Sequence, residues 1–316
     1  MAAADADSQT RYLFRTRRYS TVQTWYRRAS GPARLSPMAQ TLTGAQIESW
    51  DRDGFLIVRG ALTAAQADQA RLLTMADPLL AARAHSNANY DDEQHGGGRA
   101  LPLKTMLSHA EFSPVDEVCS AWCASARLVA PLEQLFRDNV CHYYSILMRK
   151  DPQTGGWIYH QDYGYHHVQF LRPEGYASAM LALAPATVAN GCLRVYRGSH
   201  KLGRLPHTTV GAQQIADPER VDRAACVLEE VACELDPGDV LYFHGNTLHA
   251  SSPNLSSSSR WSIVYSYAAA GNPVIVAPDP TTALPAGGLD DMAVGEAVAR
   301  HVGRLRVGGL VGATKL

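Results

Sequence analysis

Residues 237–249 read Pro237-Gly-Asp-Val-Leu-Tyr-Phe-His-Gly-Asn-Thr-Leu-His249. A Pro-Gly-Asp turn opens the stretch, the apolar run Val240–Phe243 follows, and Gly245-Asn246 turns the chain again. The same alternation extends outward on both sides. Short apolar runs lie at Val140–Met148, Trp157–Gln161, Ala177–Ala184, Leu193–Tyr196, Val227–Leu235 and Trp261–Ala268, with turn signals such as Asn190-Gly191 between them. Runs of this length and spacing predict an all-β sandwich or barrel from residue 140 onward.

Ahead of that region the signals are helical. Thr43 is an N-cap for a short helix that Gly54 ends, and Phe55–Val58 reads as a strand. Thr63 begins a second helix that stops before Asp77-Pro78. Residues 85–100 read as a loop; their run Gly96-Gly97-Gly98 lacks the Lys-Ser/Thr and preceding strand of a phosphate cradle. Residues 114–137 show helical periodicity in two pieces, and a final short helix is expected near 290–303. Helices first and strands afterwards predict an α+β, mainly β fold, with the N-terminal helices packed on one side of a double sheet.

The whole chain has 316 residues, 29 Lys plus Arg against 30 Asp plus Glu, 46% hydrophobic and 19% charged residues. That composition excludes fibrous and wholly disordered classes. The formal charge of −1 gives no reason to expect a nucleic-acid partner. No apolar stretch reaches 18 residues, so no membrane span is expected. The charge is uneven: residues 1–36 carry seven Arg against two Asp, a balance of +5, which leaves −6 for the rest. The first 36 residues therefore read as a basic tail or targeting segment, 37–285 as one domain, and 286–316 as a C-terminal helix and tail. Six cysteines without a Cys-x-x-Cys pair argue against a disulfide scaffold and for a reducing, intracellular compartment. The cytoplasm is the first choice there; a peroxisome or another organelle is the second, since the terminal Thr314-Lys-Leu316 differs from Ser-Lys-Leu by one residue.

The chemistry concentrates in three places. In Trp157-Ile-Tyr-His-Gln-Asp-Tyr163, His160 and Asp162 are two apart, so an extended strand would present an imidazole and a carboxylate on one face. Residues 244–249 offer two candidates for a third metal ligand, His244 and His249. Arg260 starts the next strand, eleven residues after His249, where antiparallel pairing would lay it beside a metal site. Two His and one carboxylate on a β scaffold describe the facial triad of non-haem Fe(II) oxygenases. Arg is the side chain that grips a carboxylate bidentately.

These stretches resemble the phytanoyl-CoA dioxygenase family of Fe(II)/2-oxoglutarate oxygenases. The matching segments are Tyr-His-Gln-Asp-Tyr at 159–163, Asn-Gly-Cys-Leu-Arg-Val-Tyr-Arg-Gly-Ser-His-Lys at 190–201, residues 237–254, and Arg260-Trp261. The resemblance implies a double-stranded β-helix (jelly roll, cupin-like). It implies His160, Asp162 and His249 as Fe(II) ligands and Arg260 at the distal carboxylate of 2-oxoglutarate, assisted by Ser251. Lys104 resembles a lysine that some members direct at the cosubstrate. Two departures touch the pocket: Arg197 stands where the family usually has Pro, and Met180 where some relatives have Trp. The implied reaction couples decarboxylation of 2-oxoglutarate to succinate, using O₂, with hydroxylation or a related oxidation of an unactivated C–H in a small organic molecule; ascorbate would be an in vitro supplement. Asp162 favours hydroxylation over halogenation, since halogenating relatives lack that carboxylate.

His244 and His200 read as structural. Tyr163, Tyr165, His166 and His167 follow the carboxylate and could line the substrate mouth or pack. Tyr143, Tyr144 and Met148, on the preceding strand, could flank the cosubstrate. Two other classes stand beside the oxygenase: a catalytically silent jelly-roll binding protein, and a cupin-type metalloenzyme that does not use 2-oxoglutarate. The oligomeric state is not legible.

Overall fold

The computed structural model describes residues 42–78, 84–87, 103–108, 118–169, 172–211, 213–272 and 284–307. The segment 1–36, the Gly96–Gly98 run, most of the Pro- and Gly-rich stretch after 272, and Thr314–Leu316 lie outside the described residues.

Helix α1 (Gly44–Asp53) and helix α2 (Ala64–Ala76), separated by strand β1 (Phe55–Val58), begin with the same device. Thr43 and Thr63 accept from the backbone N–H of Gln46 and Gln66, whose side chains return to the Thr N–H, so each helix carries a complete capping box. Gly54 closes α1 in the left-handed region at φ 79°, and the His200 ring sits where a Cβ would be, 2.2 Å away. Any side chain there would meet both penalties.

Strands β2 (Ala84–Asn87) and β3 (Leu103–Ser108) follow, then helices α3 (Val118–Cys123) and α4 (Ala126–Phe136), the two expected pieces. The long strand β4 (Val140–Lys150) leads to β5 (Trp157–His160), a one-turn helix α5 (Asp162–His166), β6 (Tyr176–Ala182) and β7 (Leu193–Tyr196). A hairpin of β8 (His207–Val210) and β9 (Gln213–Ala216) and helix α6 (Pro218–Ala225) precede β10 (Glu230–Cys233), β11 (Val240–His244), β12 (His249–Ser251) and β13 (Arg260–Ala269). The short β14 (Leu284–Pro285) pairs with β4, and α7 (Asp291–Val307) ends the described chain.

The major sheet runs β1-β11-β6-β13-β4-β3-β2 and the minor sheet β10-β7-β12-β5, every described pairing within them being antiparallel. The two face each other as a jelly roll, as the sequence leads one to expect. Alternation divides the major sheet cleanly. Leu181, Val240, Tyr242, Ile263, Tyr265 and Tyr267 join Trp122, Leu128 and other helix residues in the largest core cluster, so α1–α4 and α7 cover one face only. Met180, Ala182, Leu241 and Phe243 turn the other way and meet Leu193, Val195 and Cys233 of the minor sheet. Tyr265 and Tyr267 donate to the carbonyls of Cys119 and Cys123, at 2.7 and 2.8 Å, and Tyr242 donates to that of Leu128. These bonds tie the tyrosines of the major sheet to the helical layer and leave their buried hydroxyls satisfied. Cys119 and Cys123 lie in this core, as their spacing suggests. Asp77, just past α2, accepts from Arg304 (2.6 Å) and contacts buried His301 (3.2 Å), which fastens α7 to the helical layer.

Candidate metal centre

The two histidines come from neighbouring strands. His249 opens β12 directly opposite His160 at the end of β5, with ring centroids 4.1 Å apart. Each ring makes the same local bond: Nδ1 of His160 lies 2.7 Å from the Ile158 carbonyl and Nδ1 of His249 lies 2.9 Å from the Thr247 carbonyl. A carbonyl only accepts, so Nδ1 carries the proton in both rings and Nε2 presents a lone pair. Asp162 Oδ1 lies 3.7 Å from Nε2 of His160 and 3.4 Å from Nε2 of His249. Ligand atoms of all three residues lie within 4.8 Å of one another. Two imidazoles and one carboxylate converging in this way suit a divalent metal with open positions.

Protonation suits it too. Burial, reinforced by neighbouring His249, pushes His160 down to about 3, so its imidazole is neutral at physiological pH. Burial works against ionisation of Asp162, but His249, His160 and the Ser178 hydroxyl outweigh it and hold the carboxyl below its ordinary range.

One expectation needs correcting. His160 and Asp162 do not leave one face of a single strand: β5 ends at His160, Gln161 is extended (φ −120°, ψ 133°), and Asp162 begins α5. The convergence comes from this strand-to-helix turn. Gln161 holds it, fully buried, with Nε2 donating to the carbonyls of Gly203 (2.8 Å) and Asn246 (2.7 Å), and Oε1 accepting from Leu205 N (2.7 Å). Its own N–H donates to Nε2 of His207. Gln161 and His207 were missed by sequence reasoning, because their roles depend on a loop more than 40 residues away.

His244 stands apart from the triad. Its Nδ1 accepts from Asn246 N at 3.0 Å and its ring packs on Trp50 and His200, so it shapes the turn before His249. The four residues after the carboxylate divide. Tyr163 packs with Tyr143, Tyr176 and Ala268, and His167 Nδ1 bonds the Gly164 carbonyl within its own turn. Tyr165 lies edge-on to His160 (5.5 Å) with its hydroxyl tied to Gln214. His166 sits between Tyr143 and Tyr176, near the charge of Asp162, and burial lowers it to about 4. Tyr143 reaches this group through a bulge: Tyr144 pairs with Ser266 and His142 with Tyr267, leaving Tyr143 as the extra residue turned to the inner face.

The residue expected to anchor an anion, Arg260, is buried. Arg260 is 2% exposed, on the inner face of β13, and donates through Nη1 to the Gly191 carbonyl. Burial lowers it to about 10, which leaves it charged at neutral pH. Met148 lies on the same inner face, opposite Ser262. Ser251 is buried on β12, and its Oγ accepts from Nζ of Lys150 at 2.9 Å. Lys150 was not singled out in the sequence. The signal was present, since the alternation Ile146, Met148, Lys150 ends on the buried face. Lys104 pairs with Ser86 through the backbone of β3, and its side chain lies outside the described residues, as does that of Tyr144.

The comparisons agree with this geometry. The family described as Phytanoyl-CoA dioxygenase (PhyH) matches residues 50–262. A phytanoyl-CoA dioxygenase of Arabidopsis thaliana is 32% identical over 120 residues, 37% of this chain and 40% of that protein. A methylphosphonate hydroxylase of Gimesia maris is 24% identical over 241 residues, 73% of this chain and 82% of the other. The solved structure of EctD from S. alaskensis with 2-oxoglutarate and 5-hydroxyectoine superposes with a TM-score of 0.57 at 24% identity, over 78% of this chain and 84% of that one. With the family match spanning both sheets and every candidate site residue from His160 to Arg260, the chain belongs to the phytanoyl-CoA dioxygenase family.

Proposed function

We propose that the protein is an Fe(II)/2-oxoglutarate-dependent oxygenase that oxidises an unactivated C–H bond of a small, polar organic molecule. The observation that carries this reading is the pairing of the His160/Asp162/His249 cluster, held by the minor sheet and α5, with a buried, charged Arg260 on the inner face of the facing major sheet. His160, Asp162 and His249 would hold the metal through Nε2, Oδ1 and Nε2. Fe(II) bound there supplies the O₂ activation that couples decarboxylation of 2-oxoglutarate to succinate and CO₂ with transfer of one oxygen atom to substrate.

The chain supplies the rest. Arg260 and Ser251 receive the distal carboxylate, which fixes the cosubstrate's orientation. Met148, Met180, Val264 and Phe243 form the dry wall of the inner face. Tyr143, Tyr165 and His166 border Asp162 with aromatic surface and a neutral imidazole able to hydrogen-bond. That border supports a polar substrate over a long alkyl chain.

The site residues argue against the other two classes. A silent binding protein has no need of three ligand atoms converging on one point. A cupin enzyme without 2-oxoglutarate has no use for a buried Arg260 beside them. The test is succinate formation from 2-oxoglutarate with added Fe(II), alone and across a panel of polar metabolites, against Asp162→Ala and Arg260→Ala. Turnover in the wild type, abolished by the first change and starved of cosubstrate by the second, is expected. Purified protein that binds neither Fe(II) nor 2-oxoglutarate would end the proposal. Among the described residues no helix is long and apolar enough to cross a membrane. We further propose action in the cytoplasm, which localisation of a tagged full-length chain would test.

A further inference from the structure

Arg260 and Lys150 are direct cross-strand partners on β13 and β4, and they are 2% and 1% exposed. Among the described residues neither forms an ion pair. The charges acting on Lys150 are Arg260 and Arg194, both of its own sign, with the Cys192 thiol nearby. Burial, with Arg260 adding to it, drives Lys150 well below the usual lysine range. Two adjoining basic groups in a barrel interior without a carboxylate are a costly arrangement unless an anion completes it.

The hydrogen bonds show where the anion would sit. Lys150 Nζ donates to Ser251 Oγ at 2.9 Å and to the Ser252 carbonyl. The N–H of Trp157 donates to the same Ser251 Oγ at 3.3 Å. A hydroxyl oxygen has two acceptor sites, and both are used. The Ser251 hydrogen is therefore obliged to act as a donor, and no acceptor for it occurs among the described residues. Arg260 Nε is likewise buried without an acceptor there.

We propose that Lys150 is a positioning residue for the distal carboxylate of 2-oxoglutarate: it makes the Ser251 hydroxyl an obligate donor and adds a second cation beside Arg260. The inference rests on the oxygenase reading above. It adds a lysine at the end of β4 to the cosubstrate site, beside the Lys104 to which the family resemblance points.

The experiment uses Fe(II)-loaded protein without oxygen. It follows the visible absorption of the metal-bound 2-oxo acid during titration with 2-oxoglutarate or with 2-oxopentanoate, which lacks the distal carboxylate. Lys150→Met should weaken 2-oxoglutarate roughly 10- to 100-fold, the loss expected for one charge-assisted hydrogen bond. Binding of 2-oxopentanoate and of Fe(II) should stay as in the wild type. Adding Ser251→Ala to Lys150→Met should cost little more, because the hydroxyl has already lost its orientation. Lys150→Gln, which keeps an N–H for Ser251 but no charge, should fall between wild type and Lys150→Met, and it stands in if the methionine variant does not fold. Equal weakening of both acids, or of neither, would overturn the proposal. A wild type that binds Fe(II) but neither acid would instead overturn the oxygenase reading, and this inference with it.

Discussion

Ser178, on the inner face of β6, donates its hydroxyl hydrogen to Oδ2 of Asp162. That bond leaves Oδ1 facing the two Nε2 atoms, so a residue sixteen positions later in the chain selects which oxygen serves the metal. Ser178→Ala should lower Fe(II) affinity roughly 10- to 100-fold, the usual cost of losing a partner that orients a ligand. Urea unfolding should change little. An anaerobic competition titration against a chromogenic chelator reads the first quantity; unchanged affinity would make Ser178 a packing residue only.

Gly156 precedes β5, and a Cβ built on it would lie 2.1 Å from the Ser251 carbonyl oxygen. Backbone cannot swing aside as a side chain can. Gly156→Ala should therefore push β5 away from β12 and disturb the register in which His160 faces His249. The expected cost is about 1–3 kcal/mol in urea unfolding, with weakened Fe(II) binding. Normal metal affinity at reduced stability would show that the strands part only locally.

The stability of the metal-free protein should fall in mild acid. Burial, aided by His249, lowers His160 to about 3; burial, aided by His200, lowers His244 to about 3. In the unfolded chain both rings titrate near 6.5, so the unfolded state takes up protons that the folded state refuses. The contribution is complete above about pH 6.5 and disappears as pH falls toward 3. By pH 5 each ring costs roughly 2 kcal/mol. His244→Asn, whose Oδ1 can replace Nδ1 as acceptor for Asn246 N, should give a shallower decline of urea midpoint between pH 7.5 and 5. An unaltered slope would place the acid sensitivity elsewhere.

Removing residues 1–36 should leave succinate formation unchanged. The +5 segment precedes the family match at residue 50, and the metal and cosubstrate candidates begin at Lys104. Loss of turnover in a well-folded truncation would assign that segment a part in the chemistry.

The legible and illegible features differ in range. The strands from Val140 onward, the helix starts at Thr43 and Thr63, and the His160, Asp162, His249 and Arg260 candidates all rest on signals within a dozen residues. The turn that throws Asp162 onto α5 depends on Gln161 reaching Gly203, Leu205 and Asn246. The bulge that turns Tyr143 inward depends on pairing with β13, more than 100 residues later. Lys150 and Ser178 matter only because of which face they present, and alternation gives two faces without saying which is inside. The apolar run 227–235 is strand only over Glu230–Cys233, and helix α6 and the β8–β9 hairpin lie in the stretch before it, between two predicted strands.

β13 has a consequence for how the protein is made. It lies between β6 and β4, pairs with both, and keeps those two strands from touching, yet it is the last long strand in the sequence. A chain emerging from the ribosome can pair β6 with β11 and β3 with β4, but these remain two separate half-sheets until residues 260–269 arrive. Assembly is therefore late and depends on distant partners, which leaves the apolar faces of both halves in need of shielding during synthesis. Arg260 is the first residue of the strand that joins them. The same event closes the sheet and delivers the guanidinium, so a chain cut short before residue 260 is an unfinished barrel and not a smaller enzyme.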